Sequence, residues 1–230
     1  MQRRIDQEIE EKEGLLADLE QPVELKLTPL KHHRETLAVL RDYGIAYTGA
    51  GEPLFADLSF AIRQGERIAL HGENGCGKST LIKILLQKVG MCEHCKPITG
   101  TESPRPAPDA LSSVMPVTET GIFETASGLI VSYVNQDTFM LNGSISDFCL
   151  GRGLEQSLFC AILRQLGLER EQLFKNIEEY SEGQKKKVLI AASLLMPAHL
   201  YVWDEPLNYI DVFSRMQIEK LLLAYRPTML

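Results

Sequence analysis

No stretch of about eighteen consecutive apolar residues occurs in the sequence, so it offers no candidate transmembrane helix. A secretory leader is not recognisable either, because Met1 opens onto a charged stretch. Cysteine is sparse, with five in 230 residues. An odd count without a secretory signal points to reduced thiols and a cytoplasmic location. Cys92-Glu-His-Cys95 is a single C-x-x-C without a second pair, so no zinc site is expected. An excess of basic charge is missing as well. The formal net charge of −7 does not advertise nucleic-acid binding, though it does not exclude it, and the basic groups Lys31 to Arg34 and Lys185 to Lys187 read as solvated faces rather than a phosphate footprint. No internal repeat is visible. With 44% hydrophobic residues the chain can bury a core, which suits one domain plus an appendage.

Against these absences stands one dense motif. Gly72-Glu73-Asn74-Gly75-Cys76-Gly77-Lys78-Ser79 fits the phosphate-binding loop pattern without a mismatch, and Thr80 follows it. Glu66 to His71 before it reads as a short buried strand, and Leu81 to Leu86 after it as an apolar helix. The glycines Gly72, Gly75 and Gly77 admit positive φ and let backbone N–H groups and the helix dipole converge on an anion. Lys78 is expected to reach the β and γ phosphates of a nucleotide and Ser79 to ligate Mg2+. Cys76 sits at a helix start, where thiolate character is favoured, so nucleotide is expected to protect it from alkylation.

Leu200 to Glu205 reads as an apolar strand ending in two carboxylates, stopped by Pro206. Acids at the end of a parallel strand face the ligand crevice, which suits Asp204 to Mg2+ and Glu205 to orienting the attacking water. Alone, the pair would be two exposed acids in a turn. Between the two motifs, Ser181 and Gln184 form a capping-box pattern around Glu182 and Gly183, ahead of a helix over Lys185 to Met196 with Val188, Leu189, Ala192 and Leu195 on one face. Serine, glycine and free N–H groups at that helix start make a second anion site.

These motifs together resemble the ATP-binding cassette (ABC) family over about Leu37 to Leu230, with Walker A at Gly72 to Ser79, signature at Ser181 to Gln184 and Walker B at Leu200 to Glu205. The resemblance implies an α/β fold: a P-loop NTPase, ABC-type nucleotide-binding domain with a small antiparallel β-subdomain and a helical signature subdomain. It also implies ATP and Mg2+ as ligands. Tyr47 falls where the family stacks an aromatic on adenine; the alternative is a core tyrosine on a strand face. Gln136 resembles the glutamine that senses Mg2+ and the γ phosphate, and Asp211 the aspartate that lines the dimer seam. Family members work as a sandwich, so Ser181 and Gly183 are expected to act in trans on the nucleotide of a second cassette. The chain departs from the commonest signature in Tyr180 for leucine and Glu182 for glycine.

The remaining texture divides the chain. Residues 1–36 read as an amphipathic linker helix, Gln2 to Glu20, and a connector punctuated by Pro22 and Pro29. Residues 37–230 read as the nucleotide-binding domain. Leu58, Phe60 and Ile62 alternate as in an antiparallel strand, residues 87–124 carry five of the eleven prolines and read as a loose loop insertion, and Ser157 to Leu168 reads as a helix. The preceding charged helix and the wording from Ser181 to Asp211 look like the second cassette of ABC-F proteins, soluble twin-cassette ATPases that act on the ribosome, in particular the branch protecting against lincosamides, pleuromutilins and streptogramin A. The resemblance thus implies ATP hydrolysis, the ribosome and its rRNA as partner, and antibiotic resistance. The alternatives are an ABC transporter subunit, or a cassette that binds nucleotide without turnover. Such cassettes continue into a further central strand ending in a switch histidine. Neither His71 nor His199 suits that role, and the sequence is expected to be a cassette incomplete at its C-terminal end.

Overall fold

The computed structural model describes residues 27–49, 52–90 and 117–230. The expected helix over Gln2 to Glu20 and the C-x-x-C at Cys92 to Cys95 lie outside the described residues. Three strands, β1 (Thr36–Tyr47), β2 (Phe55–Arg63) and β3 (Val117–Thr125), form an antiparallel sheet in the order β2-β1-β3. This is the expected small β-subdomain. Part of the segment read as a loop over 87–124 is therefore ordered differently. Gln87 and Lys88 close helix α1 (Lys78–Lys88), and β3 begins directly after Pro116. Its Val117, Thr118, Thr120, Ile122 and Phe123 favour a pleated strand, and the β1 edge gives them a partner.

The second sheet pairs β4 (Val131–Val134) with β5 (Leu200–Trp203) in parallel, with Val134 opposite Trp203. Backbone bonds carry it further. Tyr201 N donates to Thr228 O, Leu230 N to Tyr201 O, Met229 N to Glu66 O and Ile68 N to Met229 O, each at 2.9 Å. Thr228–Leu230 thus lie between β5 and the segment before the glycine loop. Conversely, the strand expected over Glu66 to His71 is reduced to Glu66–Ile68, because Met229 alone among the described residues pairs with it.

Helix α1 lies between the two sheets. Its Leu81 and Ile84 join Leu40, Tyr43 and Ile45 of β1, while Ile82, Leu85 and Leu86 join Val131, Leu200 and Val202 of the parallel sheet. Each such side chain stabilises the layer by about 1.5–3 kcal/mol on burial. On the far side pack α2 (Ile145–Leu150), α3 (Gln156–Gln165), α4 (Glu182–Leu195) and α5 (Val212–Tyr225) around Phe159, Leu163, Tyr201 and Trp203. Helix α3 is shorter than the helix expected over Ser157 to Leu168, and Leu166 caps it. Helix α4 starts three residues earlier than expected and is buried all round from Lys186 to Leu194, more than the single stripe read from its periodicity. Such a layered α/β arrangement puts the ends of β4, β5 and the glycine loop on one side of the parallel sheet.

Candidate nucleotide site

The glycine loop ends at Gly77, whose φ of 99° lies in the left-handed region and which caps α1 without a side-chain bond. No acidic residue occupies the first turn of α1. The first N–H groups of α1 therefore lie without a side-chain partner at the positive end of the dipole, where an anion is favoured. A Cβ at Gly77 would come within 2.8 Å of Leu54, so position 77 excludes a side chain for space as well as for conformation. Gly75 also takes a positive φ, 83°. Gly72 does not, contrary to expectation; a Cβ there would sit 2.6 Å from Cys76 Sγ, so a side chain would displace that thiol.

Lys78 folds over the loop, donating to Gly72 O at 2.8 Å and Glu73 O at 3.0 Å, with its Nζ 3.8 Å from Cys76 Sγ. Glu73 and Asn74 are exposed at the loop tip. The Tyr47 hydroxyl, at the end of β1, lies 3.1 Å from Thr80 Oγ1, which brings the ring to the edge of the loop.

The carboxylates follow directly from β5. Asp204 is buried, and its N–H donates to Val134 O at 2.9 Å, the last rung of the β4–β5 ladder. Burial pushes its carboxyl above the ordinary value, while a hydrogen bond from Ser79 and the Lys186 charge work the other way. Ser79 and Asp204, 125 positions apart by their numbers, are thus one unit. A hydroxyl beside a desolvated carboxylate is an all-oxygen donor set that suits a hard divalent cation. Among the described residues no cluster of three or more acidic, histidine or cysteine groups could by itself hold a metal ion.

Glu205 adopts a left-handed backbone, φ 47°, which is uncommon outside glycine, asparagine and aspartate. The turn sends its side chain to Gln136 Nε2, which donates to Glu205 Oε2 at 3.0 Å, and to Asn208 Nδ2, which donates to the same oxygen at 2.8 Å. A cleft of about 890 Å3 opens beside Lys78, Asp204 and Glu205 and runs toward Leu222.

The signature residues form a second group. Ser181 and Gln184 make the capping box foreseen for them: Ser181 Oγ accepts from Gln184 N at 3.3 Å, and Gln184 Oε1 accepts from Ser181 N at 3.0 Å. A Cβ at Gly183 would lie 2.3 Å from Tyr209 O, so the loop before α5 rests on its bare Cα. Asp211 caps α5 through Ser214 N at 2.9 Å and pairs with Lys187 at 2.6 Å. Burial opposes ionisation of Asp211, but the Lys187 ammonium and the Ser214 donors outweigh it and hold the carboxyl below the usual range. Tyr180, the departure from leucine, is buried, and its hydroxyl donates to Gln172 O at 2.6 Å.

Three further residues were not singled out from the sequence. Lys186 and Lys187, read as part of a solvated basic run, are buried at 3% and 7% exposure. Lys186 Nζ donates to Asn135 O at 2.9 Å, Asp204 O at 3.2 Å and Gln136 O at 3.3 Å, and burial lowers its pKa against the pull of Asp204 and Glu205. Thr138 Oγ1 donates to Glu182 Oε2, the other departure from the common signature. The signal for Lys186 was the apolar run from Val188 to Ala192 just after it, which leaves that part of the helix without a polar face. Thr138 carried none.

A glycine loop, a buried strand-end acid near its serine and a glutamine on the following acid thus lie around one cleft, and sequence comparison places the chain in a family. Residues 55–208 match the ABC transporter family profile. The chain belongs to this family. Its ABC-type nucleotide-binding fold is that of the α/β P-loop NTPases. The chain is 30% identical over 205 residues to the lacticin-481/lactococcin-DR transport/processing ATP-binding protein of Lactococcus lactis subsp. lactis, covering 86% of this chain and 27% of the relative. It is 24% identical over 229 residues to the ribosome protection protein VmlR of Bacillus subtilis, covering 100% and 37%. To the ATP-binding protein Uup of Buchnera aphidicola it is 28% identical over 185 residues, covering 77% and 26%. The chain therefore spans between about a quarter and two fifths of the length of these relatives. ABC domains generally bind ATP with Mg2+ and pair with a second cassette. Among the described residues no helix is long and apolar enough to cross a membrane.

Proposed function

We propose that the chain is an ATP-hydrolysing cassette of the ABC-F type that works on the ribosome in the cytoplasm, in antibiotic resistance by ribosomal protection. The observation that carries the hydrolytic part is the hydrogen bond from Gln136 to Glu205, which joins the segments leaving the neighbouring parallel strands β4 and β5. Gly72 to Thr80 cradle the triphosphate with backbone N–H groups, and Lys78 releases its loop carbonyls for the β and γ phosphates. Tyr47 stacks on adenine. Ser79, Asp204 and Gln136 hold Mg2+, which when bound neutralises phosphate charge. Glu205, kept in place by Gln136 and Asn208, orients the attacking water and takes its proton. Ser181, Gly183 and Gln184 close on the nucleotide of a second cassette, and Asp211 lines the seam between the two. Residues 1–36 serve as linker and connector to that partner, and residues 37–230 as the cassette, with its proline-rich insertion between α1 and β3.

The ribosomal part is supported by the alignment with VmlR along 100% of this chain, which includes the region ahead of the cassette. A transporter subunit is the second reading, favoured by the higher identity to the lacticin-481 transport protein. Fractionation of cells expressing the full-length protein as Glu205→Gln separates them. Retention on ribosomes with ATP, lost with ADP, is expected; recovery with membranes in place of ribosomes reverses the ranking. Lys78→Ala is expected to weaken ATP binding in either case.

A further inference from the structure

Gln136 lies on the short segment leaving β4, where few neighbours fix a side chain. Two residues of helix α4 fix it from outside. Lys186 Nζ holds the carbonyls of Asn135 at 2.9 Å and Gln136 at 3.3 Å, and also that of Asp204 at 3.2 Å. One turn earlier on the same helix face, Glu182 accepts from the hydroxyl of Thr138. Gln136 is thereby held on its own carbonyl and two residues further on. Thr138 is 5% exposed, so its hydroxyl has little water to turn to if Glu182 withdraws, whereas the Glu182 side chain is 59% exposed and its backbone is already fixed by the helix. A glycine at position 182 could make no such contact.

We propose that Glu182 is a positioning residue for ATP hydrolysis: through Thr138 it sets the path of residues 136–138 and so keeps the Gln136 amide on the Glu205 carboxylate. The inference rests on the ATPase reading above. It gives the signature turn a second task besides meeting a neighbour's nucleotide, because the turn that carries Ser181 and Gly183 is tied by one hydrogen bond to the water-orienting pair of its own chain.

The test is a double-mutant cycle in the full-length protein with Glu182→Gly and Thr138→Val, together with Glu182→Gln, which keeps an acceptor. Steady-state hydrolysis of Mg-ATP and amide exchange of residues 135–138 without nucleotide are measured on each. Losing a charge-assisted hydrogen bond is expected to lower kcat about tenfold in either single variant, with KM changed by less than about twofold. The double variant is expected to fall no further than the lower single, Glu182→Gln to recover most of the rate, and exchange at 135–138 to quicken in Glu182→Gly. Unchanged kcat, a loss confined to KM, or a double variant equal to the product of the singles would overturn the proposal. Quicker exchange with wild-type kcat would overturn it too, reducing the contact to a structural one. Wild-type turnover that survives Glu205→Gln is a different failure: it removes the ATPase reading, and the positioning role falls with it.

Discussion

Gln136 Nε2 donates to Glu205 Oε2 at 3.0 Å, joining the end of β4 to the end of β5. Asn208 supplies the same oxygen with a second donor at 2.8 Å, so one carboxylate oxygen is held twice. Removing the amide in Gln136→Ala leaves Glu205 on Asn208 alone. A net loss of about 1–1.5 kcal/mol of orientation corresponds to a roughly tenfold fall in kcat. Turnover assays at saturating Mg-ATP check this.

Cys76 is a half-buried thiol between Gly72 and the Lys78 ammonium. Alkylation of Cys76 is expected to abolish nucleotide binding, and saturating Mg-ATP to slow its labelling strongly. Peptide mapping of labelled protein measures both, since Cys149 and Cys160 are buried and burial pushes their thiols up to about 12 and about 11. Equal labelling of Cys76 with and without nucleotide would count against its place in the loop.

Gly183→Ala places a methyl group 2.3 Å from Tyr209 O, a backbone atom that cannot swing aside. Either α4 or the 207–211 loop must shift, at a cost of about 1–3 kcal/mol. A lower Tm together with reduced turnover is expected. An unchanged Tm would show that the Tyr209 loop yields freely.

The Lys187–Asp211 pair makes stability depend on acid. The folded carboxyl titrates below its unfolded value near about 3.9, so its contribution is fully present above that pH and is lost as pH falls through the folded value. Asp211→Asn is therefore expected to be less stable than wild type at pH 7, with the difference shrinking below about pH 4. Denaturant midpoints across that range test the sign. Because Asp211 is half exposed, salt should narrow the gap.

What could be read from the residues alone was local chemistry. The glycine loop, the Ser181–Gln184 box and the carboxylates after β5 each announce a backbone feature within a few positions, and each stands where it was expected. Pairing across the chain was not legible. Thr228–Leu230 carry no strand signal strong enough to place them between β5 and Glu66, yet their backbone bonds complete that region. Conversely, Glu66 to His71 has the composition of a buried strand and makes only part of one, since ladder bonds depend on a neighbour and not on propensity. The burial of Lys186 and the Thr138–Glu182 bond escaped for the same reason, as both depend on how α4 lies against the segment after β4.

The central claim is that the glycine loop, Asp204, Glu205 and Gln136 surround one triphosphate, with Glu205 acting on water. Its most direct test is Mg-ATP hydrolysis and Mg-ATP binding measured side by side on the full-length protein and its Glu205→Gln variant. Loss of the water-orienting base is expected to lower kcat by about 100-fold or more while binding is kept and the ATP-bound closed form accumulates. Turnover equal to wild type in Glu205→Gln would contradict the account.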